Sequence, residues 1–208
     1  MTIAWNQDRW GTRAGWAADN WGYAYAQPGR TDIDYTGVSR LADQYLRPWL
    51  QGQRPAVLEV APGAGRFTVE LLRYADTLHM LDLNAVCLDI CRERFSWYNH
   101  ITYWQNDGTD CAMLPDAHFD LVASYDSLVH AEPEVIRAYL VNLRPKLRPG
   151  AILWLDHSNG ACSRGYRSAM TAALMQEFAA AAGYRVLAQY WYDDRDCISV
   201  LQEPTRCK

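Results

Sequence analysis

Three carboxylates, Glu59, Asp82 and Asp107, recur at near-even spacing, each at or near the end of a short apolar run. Between the first two, Ala61, Gly63 and Gly65 alternate with other residues in a small-residue turn. Without a Cβ, Gly63 and Gly65 let the backbone approach a ligand closely. The first N–H groups of the helix that follows have no intrahelical partner and point at that ligand. Further along stand two imidazoles, each near a carboxylate: His130 follows Asp126 by one helical turn, and His157 adjoins Asp156. A neutral imidazole accepts a proton at physiological pH, and a carboxylate beside it fixes the tautomer. The chemistry on offer is ligand capture on a glycine turn, with proton removal from a second molecule close by.

The elements that must position these residues follow from the pattern of apolar runs. Ala56–Val60 predicts a buried strand, the glycine turn follows, and Phe67–Leu72 opens a helix. Thr77–Asp82, Ile101–Gln105 and Phe119–Ser124 predict strands two to four, with a helix to Phe95 after the second. Glu132–Leu147 is a helix with Val135, Ile136, Tyr139, Leu140 and Leu143 on one face. Leu147–Gly150 is read as a turn and Ala151–Leu155 as strand five, which leaves His157 just beyond a strand tip. A helix around Ser168–Ala182 precedes a hairpin of Tyr184–Tyr192 and Cys197–Leu201, joined by Asp193-Asp194-Arg195-Asp196. Strands alternating with helices specify an α/β, doubly wound sheet, whose ligands sit beyond the carboxyl ends of the strands. Before the core, Leu41, Ala42, Tyr45, Leu46 and Leu50 recur at helical spacing.

Composition narrows the class. The 208 residues suffice for one large domain, and with half of them hydrophobic the core can fold alone. A net charge of −4 argues against a nucleic-acid surface, which wants clustered Lys and Arg. No apolar stretch is long enough for a bilayer and the N-terminus has no signal-peptide pattern, so a cytoplasmic protein with no membrane partner is expected. Cys87, Cys91, Cys111, Cys162, Cys197 and Cys207 are scattered and read as buried thiols. Trp5, Trp10, Trp16 and Trp21, with Tyr23 and Tyr25, crowd a segment broken by Gly11, Gly15, Gly22, Pro28 and Gly29. Such a segment suits either a lid over a pocket or a plug on the sheet edge.

Glu59-Val60-Ala61-Pro62-Gly63-Ala64-Gly65 resembles motif I of the class I S-adenosylmethionine (SAM) methyltransferases, D/E-x-G-x-G-x-G, with Ala61 in place of the first glycine. Its spacing does not supply the G-x-G-x-x-G of a nicotinamide dinucleotide site. Leu147-Arg148-Pro149-Gly150-Ala151 is similar to the Leu-x-Pro-Gly turn before the family's fifth strand. The resemblance covers about residues 50 to 202. It implies a seven-stranded, mostly parallel sheet with an antiparallel C-terminal hairpin, and SAM as cofactor. It also implies cofactor contacts from Glu59, Ala61, Gly63, Gly65, Asp82 and Leu83, with Asp82 at the ribose hydroxyls. Asp107 and Gly108 would meet the adenine, and Tyr125 would stand at the methyl-transfer site. The corresponding layout is an aromatic lid and packing helix over 1–50 and a cofactor-binding core over 51–208.

Methyl transfer is an in-line displacement, so the protein must align the acceptor and, for a hydroxyl, remove its proton. The expected base is His130 or His157, with Asp126 placing the acceptor or orienting the imidazole. Asp-Ser-Leu-Val-His over 126–130, His-Ser-Asn over 157–159 and the Trp-rich N-terminus are similar to bacterial methyltransferases of sugars, glycans and secondary metabolites. That resemblance implies a small-molecule acceptor methylated on oxygen. N-methylation and a non-catalytic SAM-binding subunit are the alternatives, and pairing of two copies through the aromatic segment stays open. Asp126, Asp156 and Asn159 resemble the Asp…Asp-Asn ligands of magnesium-dependent O-methyltransferases, but His157 and Ser158 split the second pair, and no metal is expected.

Overall fold

A computed structural model describes residues 1–18, 36–160 and 166–204. Trp21, Tyr23, Tyr25, Gly22, Pro28, Gly29, Cys162 and Cys207 lie outside the described residues. Seven strands form one sheet: β1 Ala56–Val60, β2 Thr77–Asp82, β3 Ile101–Gln105, β4 Phe119–Ser124, β5 Leu147–Ser158, β6 Arg185–Tyr190 and β7 Asp196–Gln202. Their order is β3-β2-β1-β4-β5-β7-β6, with β7 alone antiparallel to its neighbours. The doubly wound sheet and closing hairpin are as expected. The order reverses between β1 and β4, the place where a doubly wound sheet opens a crevice.

Successive strand residues point to opposite faces, and β1 shows why both faces must be covered. Leu58 and Val60 join Leu81, Val122, Leu153, Ile136 and Phe178 on one side. Val57 joins Leu78, Met80, Leu121, Trp154 and Phe67 on the other. Every β1 residue is buried, as the near-continuous apolar run requires, and Glu59 is the exception in chemistry.

The helices are α1 Ile3–Trp10, α2 Arg13–Ala18, α3 Thr36–Leu41, α4 Arg47–Leu50, α5 Thr68–Leu71, α6 Ala85–Arg94, α7 Pro133–Leu143 and α8 Ala172–Ala182. A π turn, Ala42–Leu46, joins α3 to α4. The carbonyl of Tyr45 in that turn accepts the indole N–H of Trp154 at 2.9 Å, which satisfies the largest fully buried side chain. Among the described residues no helix is long and apolar enough to cross a membrane.

β5 departs from expectation at both ends. Leu147–Gly150 is not a free turn: Phe119 pairs with Leu147 and Leu121 next pairs with Ile152, so the intervening residues bulge, with Gly150 at φ +85°. At the other end the strand continues past Leu155, because Asp156, His157 and Ser158 pair with Ile198, Cys197 and Asp196 of β7. His157 is therefore inside the sheet and not beyond it.

Candidate active site

The crevice beyond β1, β2 and β4 holds a cavity with about 1060 Å³ of empty space, open to solvent at its mouth. Its inner half is built by the glycine turn. Gly63 and Gly65 adopt φ +56° and +79°, and Ala61 adopts φ +55°. Only glycine enters this region without cost, so the alanine at the first motif position is strained. The turn is held from outside the cavity: Arg94, in the last turn of α6, donates to the carbonyls of Ala64 at 2.7 Å and Gly65 at 3.1 Å. The Cys91 thiol contacts the Gly63 carbonyl at 3.3 Å. Ser127 donates to the Ala61 carbonyl at 2.6 Å, tying the turn to the loop after β4.

Asp82 closes β2 and lines the cavity. Its carboxylate accepts the N–H of Gly63 at 3.2 Å and of Asn84 at 2.8 Å. Burial pushes its carboxyl up to about 6, against those N–H groups, which pull it down. Ala61, Leu83, Gly108 and Tyr125 line the same space.

Glu59 and Asp107 do not. Glu59 is buried beneath the turn, where it accepts the Thr68 hydroxyl at 2.6 Å, and burial pushes it up to about 8. Asp107 is exposed and folds back on its own loop, accepting the N–H groups of Asp110 and Thr109, each at 2.8 Å. Those bonds hold it below the usual carboxylate range. Of the three carboxylates, one faces the cavity. Gly65 is also outside the lining; a Cβ there would meet Phe95 at 2.5 Å, so its small size serves packing.

The N-terminal helices form the roof. Ile3, Asn6, Trp10 and Trp16 line the cavity. A Cβ on Gly63 would lie 2.6 Å from the Trp16 ring, and one on Gly108 would lie 3.2 Å from Ile3. Asn6 donates to the carbonyl of His130 at 3.3 Å and accepts from Asn84 at 3.4 Å, and the N-terminal ammonium pairs with Glu132. Sequence reasoning left a lid and a sheet-edge plug open and did not say which residues reach the glycines. Helical spacing within α1 and α2 carries no signal for that.

At the mouth stand Arg66, Tyr125, Asp126 and His130. Asp126, at φ +50°, pairs with Arg66, whose guanidinium lies 5.0 Å from the Tyr125 ring centre. The second carboxylate oxygen of Asp126 meets Arg167 at 3.2 Å. The Asp126 N–H donates to Asp156 at 2.8 Å, and the Tyr192 hydroxyl donates to the same fully buried carboxylate at 3.1 Å. Burial, with Asp126 nearby, holds Asp156 well above the usual range. Asp126 thus serves two arginines and does not orient an imidazole. Arg66 directly follows the glycine motif, the one sequence signal that could have marked it.

The two histidines separate. His130 lines the cavity between Trp5 and Trp10, with ring centres 6.3 and 6.0 Å away, and its Nδ1 lies 2.6 Å from the Tyr166 carbonyl. His157 is fully buried, with Nδ1 donating to the Ser158 carbonyl and Nε2 accepting from Ser199, both at 2.7 Å. Burial drives it down to about 4, so it is a neutral structural residue. Expecting it at a strand tip was wrong because β7 extends β5 past that point. Asn159 accepts the N–H of Ala172 at 3.1 Å, away from Asp126. Among the described residues no group of three or more His, Cys, Asp or Glu could hold a metal ion.

Residues 57–150 match the family profile described as a methyltransferase domain. No curated protein matches the sequence. Among solved structures, a protein of Pyrococcus horikoshii OT3 is 18% identical with a TM-score of 0.69, covering 87% of this chain and 98% of that one. The N-methyltransferase NodS of Bradyrhizobium japonicum WM9, solved with S-adenosylhomocysteine, is 18% identical with a TM-score of 0.68, covering 97% and 98%. A cyclase, SpnF, is 16% identical with a TM-score of 0.67 and covers 82% of each chain. At these identities the likeness is one of fold.

Proposed function

We propose that the chain is a class I S-adenosylmethionine-dependent methyltransferase, as the methyltransferase-domain match over residues 57–150 supports, and that it methylates a hydroxyl of a small, sugar-like or secondary-metabolite acceptor, with His130 as general base. The observation that carries this reading is that His130 lines the same cavity as Gly63 and Asp82 while His157 is sealed in the sheet. The cradle fits SAM: a glycine whose Cβ would fill the space, a buried carboxylate that lines the cavity at the end of β2, and Gly108 in the same lining. Gly63, Asp82, Leu83 and Gly108 would hold the cofactor. When bound, SAM supplies a methyl group already activated on sulfur.

The remaining work falls to the outer half of the cavity. Trp10, which lines the cavity beside His130, offers a flat apolar face on which a sugar or aromatic ring can stack. The Arg66–Asp126 pair presents planar donors and acceptors to vicinal polar groups of the acceptor and sets its pose. His130 takes the hydroxyl proton as the oxygen attacks. Methyl-labelled SAM offered with panels of glycosides, phenols and amines tests the reading. Hydroxyl acceptors should be labelled, and His130→Gln should lose about 10²- to 10⁴-fold in turnover. Labelling of amines alone, unaffected by His130→Gln, would establish N-methylation instead. Binding of S-adenosylhomocysteine with no labelled acceptor at all would favour a non-catalytic role.

A further inference from the structure

The loop before α8 touches two of the four residues at the mouth of the cavity, His130 and Asp126, and the main chain beside His130. Three consecutive residues do this by three different contacts. The Tyr166 carbonyl meets His130 Nδ1 at 2.6 Å. The Arg167 guanidinium meets Asp126 at 3.2 Å while gripping Asp196 through two nitrogens, at 2.8 and 2.5 Å. The Ser168 N–H donates to the Val129 carbonyl at 2.9 Å, and the Ser168 carbonyl accepts the Ser158 hydroxyl at 2.9 Å.

Two features make this an anchored strap and not an incidental loop contact. Arg167 and Asp196 are both almost fully buried side chains, so their paired contact fixes the strap to the start of β7. Tyr166 sits at φ +61°, a conformation a bulky residue avoids unless its surroundings impose it. That conformation turns its carbonyl toward the imidazole while its exposed ring packs on Trp5, 5.4 Å away.

A carbonyl oxygen cannot donate a hydrogen bond, so His130 Nδ1 must carry the proton, and in the neutral ring Nε2 is then the basic nitrogen. We propose that Tyr166-Arg167-Ser168 is the positioning element of the acceptor site: the Tyr166 carbonyl sets the tautomer of His130, and the Arg167 fork, anchored on Asp196, fixes the Asp126 carboxylate beside it. The inference rests on His130 acting as the base. Tyr166 acts through its main chain and Arg167 through Asp126, so neither is a catalytic residue.

The test needs no acceptor. Histidine-labelled protein saturated with S-adenosylhomocysteine is examined by two-bond proton–nitrogen correlation at about pH 8, above the ordinary imidazole range, with His130→Gln assigning the signals. The wild type should show Nδ1 protonated and Nε2 bare. Tyr166→Gly keeps the carbonyl and accepts the positive φ, so it should keep that tautomer. Arg167→Ala should release the strap and give averaged signals from both tautomers. Because removing a buried cation can unfold the chain, Arg167→Lys, which leaves a charge beside Asp196 without the fork, should give the same averaging in a folded protein. S-adenosylhomocysteine affinity should change by no more than about twofold in either folded variant, as expected if the strap serves the acceptor and not Gly63 and Asp82. An Nε2-protonated His130 in the wild type, or an unaltered tautomer in Arg167→Lys, would overturn the proposal. Turnover of His130→Gln fails separately: full activity there contradicts the base and leaves the measured tautomer standing.

Discussion

The strained Ala61 is the clearest test of the turn at the level of one residue. It adopts φ +55° where an L side chain pays for its Cβ. Ala61→Gly relieves about 1–2 kcal/mol of strain and gives back about 0.5–1 kcal/mol of glycine's extra chain entropy. A net gain of roughly 0.5–1 kcal/mol in urea unfolding is expected, and a loss would contradict the assigned conformation. Glu59 makes a second test. Its carboxyl lies at about 8 in the folded protein against an ordinary value near 4.5, because it is buried. A raised folded value means the native state keeps its proton longer than the unfolded chain. Stability from this group is complete below about 4.5 and is lost as the pH rises toward 8. Glu59→Gln can still accept the Thr68 hydroxyl, so it should gain stability over the wild type between those limits, measured by denaturation at each pH. An equal response of both proteins would show Glu59 to be ionised and solvated. The spacing of Glu59, Asp82 and Asp107 correctly marked the ends of successive strands. It could not say which carboxylate faces the cavity: Glu59 lies inside β1 and is covered by Thr68 of the following helix, Asp82 ends β2 at the cavity, and Asp107 lies past β3, where no period governs side-chain direction.

Strands two to four were legible to the residue, because β2, β3 and β4 each combine a β-prone run with flanking turn residues. β5 was not, because its last three residues are strand through pairing with β7, a partner that arrives some forty positions later. That tertiary override moved His157 from the expected site into the core. α8 shows the opposite case, where local chemistry decides. The Thr171 hydroxyl accepts the Leu174 N–H at 3.1 Å as an N-cap, and Gly183 closes the helix at φ +82°. Thr171→Ala should cost about 1 kcal/mol, read from thermal or urea unfolding; no change would mean the cap is supplied otherwise. α1 and α2 were legible as aromatic-rich, with a lid or a plug both open, but not which residues would cover the site, since the contacts of Trp16 with Gly63 and of Ile3 with Gly108 join distant parts of the chain.

For the molecule as a whole, the buried histidine predicts an acid limit. His157 sits at about 4 in the fold and near 6.5 when unfolded, because burial disfavours its charged form. The unfolded chain therefore binds the proton first, and stability present above about 6.5 falls as the pH is lowered to about 4, where the loss is complete. The size is of order 3 kcal/mol at 1.36 kcal/mol per pH unit. His157→Gln should flatten the fall in unfolding free energy across this window; an unchanged slope would assign the acid sensitivity elsewhere. Above the core, the roof of α1 and α2, the glycine turn and Asp82 converge on one cavity, and the account stands on that cavity taking the cofactor. Calorimetric titration with S-adenosylhomocysteine measures this most directly. One equivalent should bind the wild type, and Asp82→Ala, still folded by circular dichroism, should bind about 10- to 100-fold more weakly, the range for a charged hydrogen bond. A wild type that takes up none, or an Asp82→Ala protein that binds equally well, would contradict it.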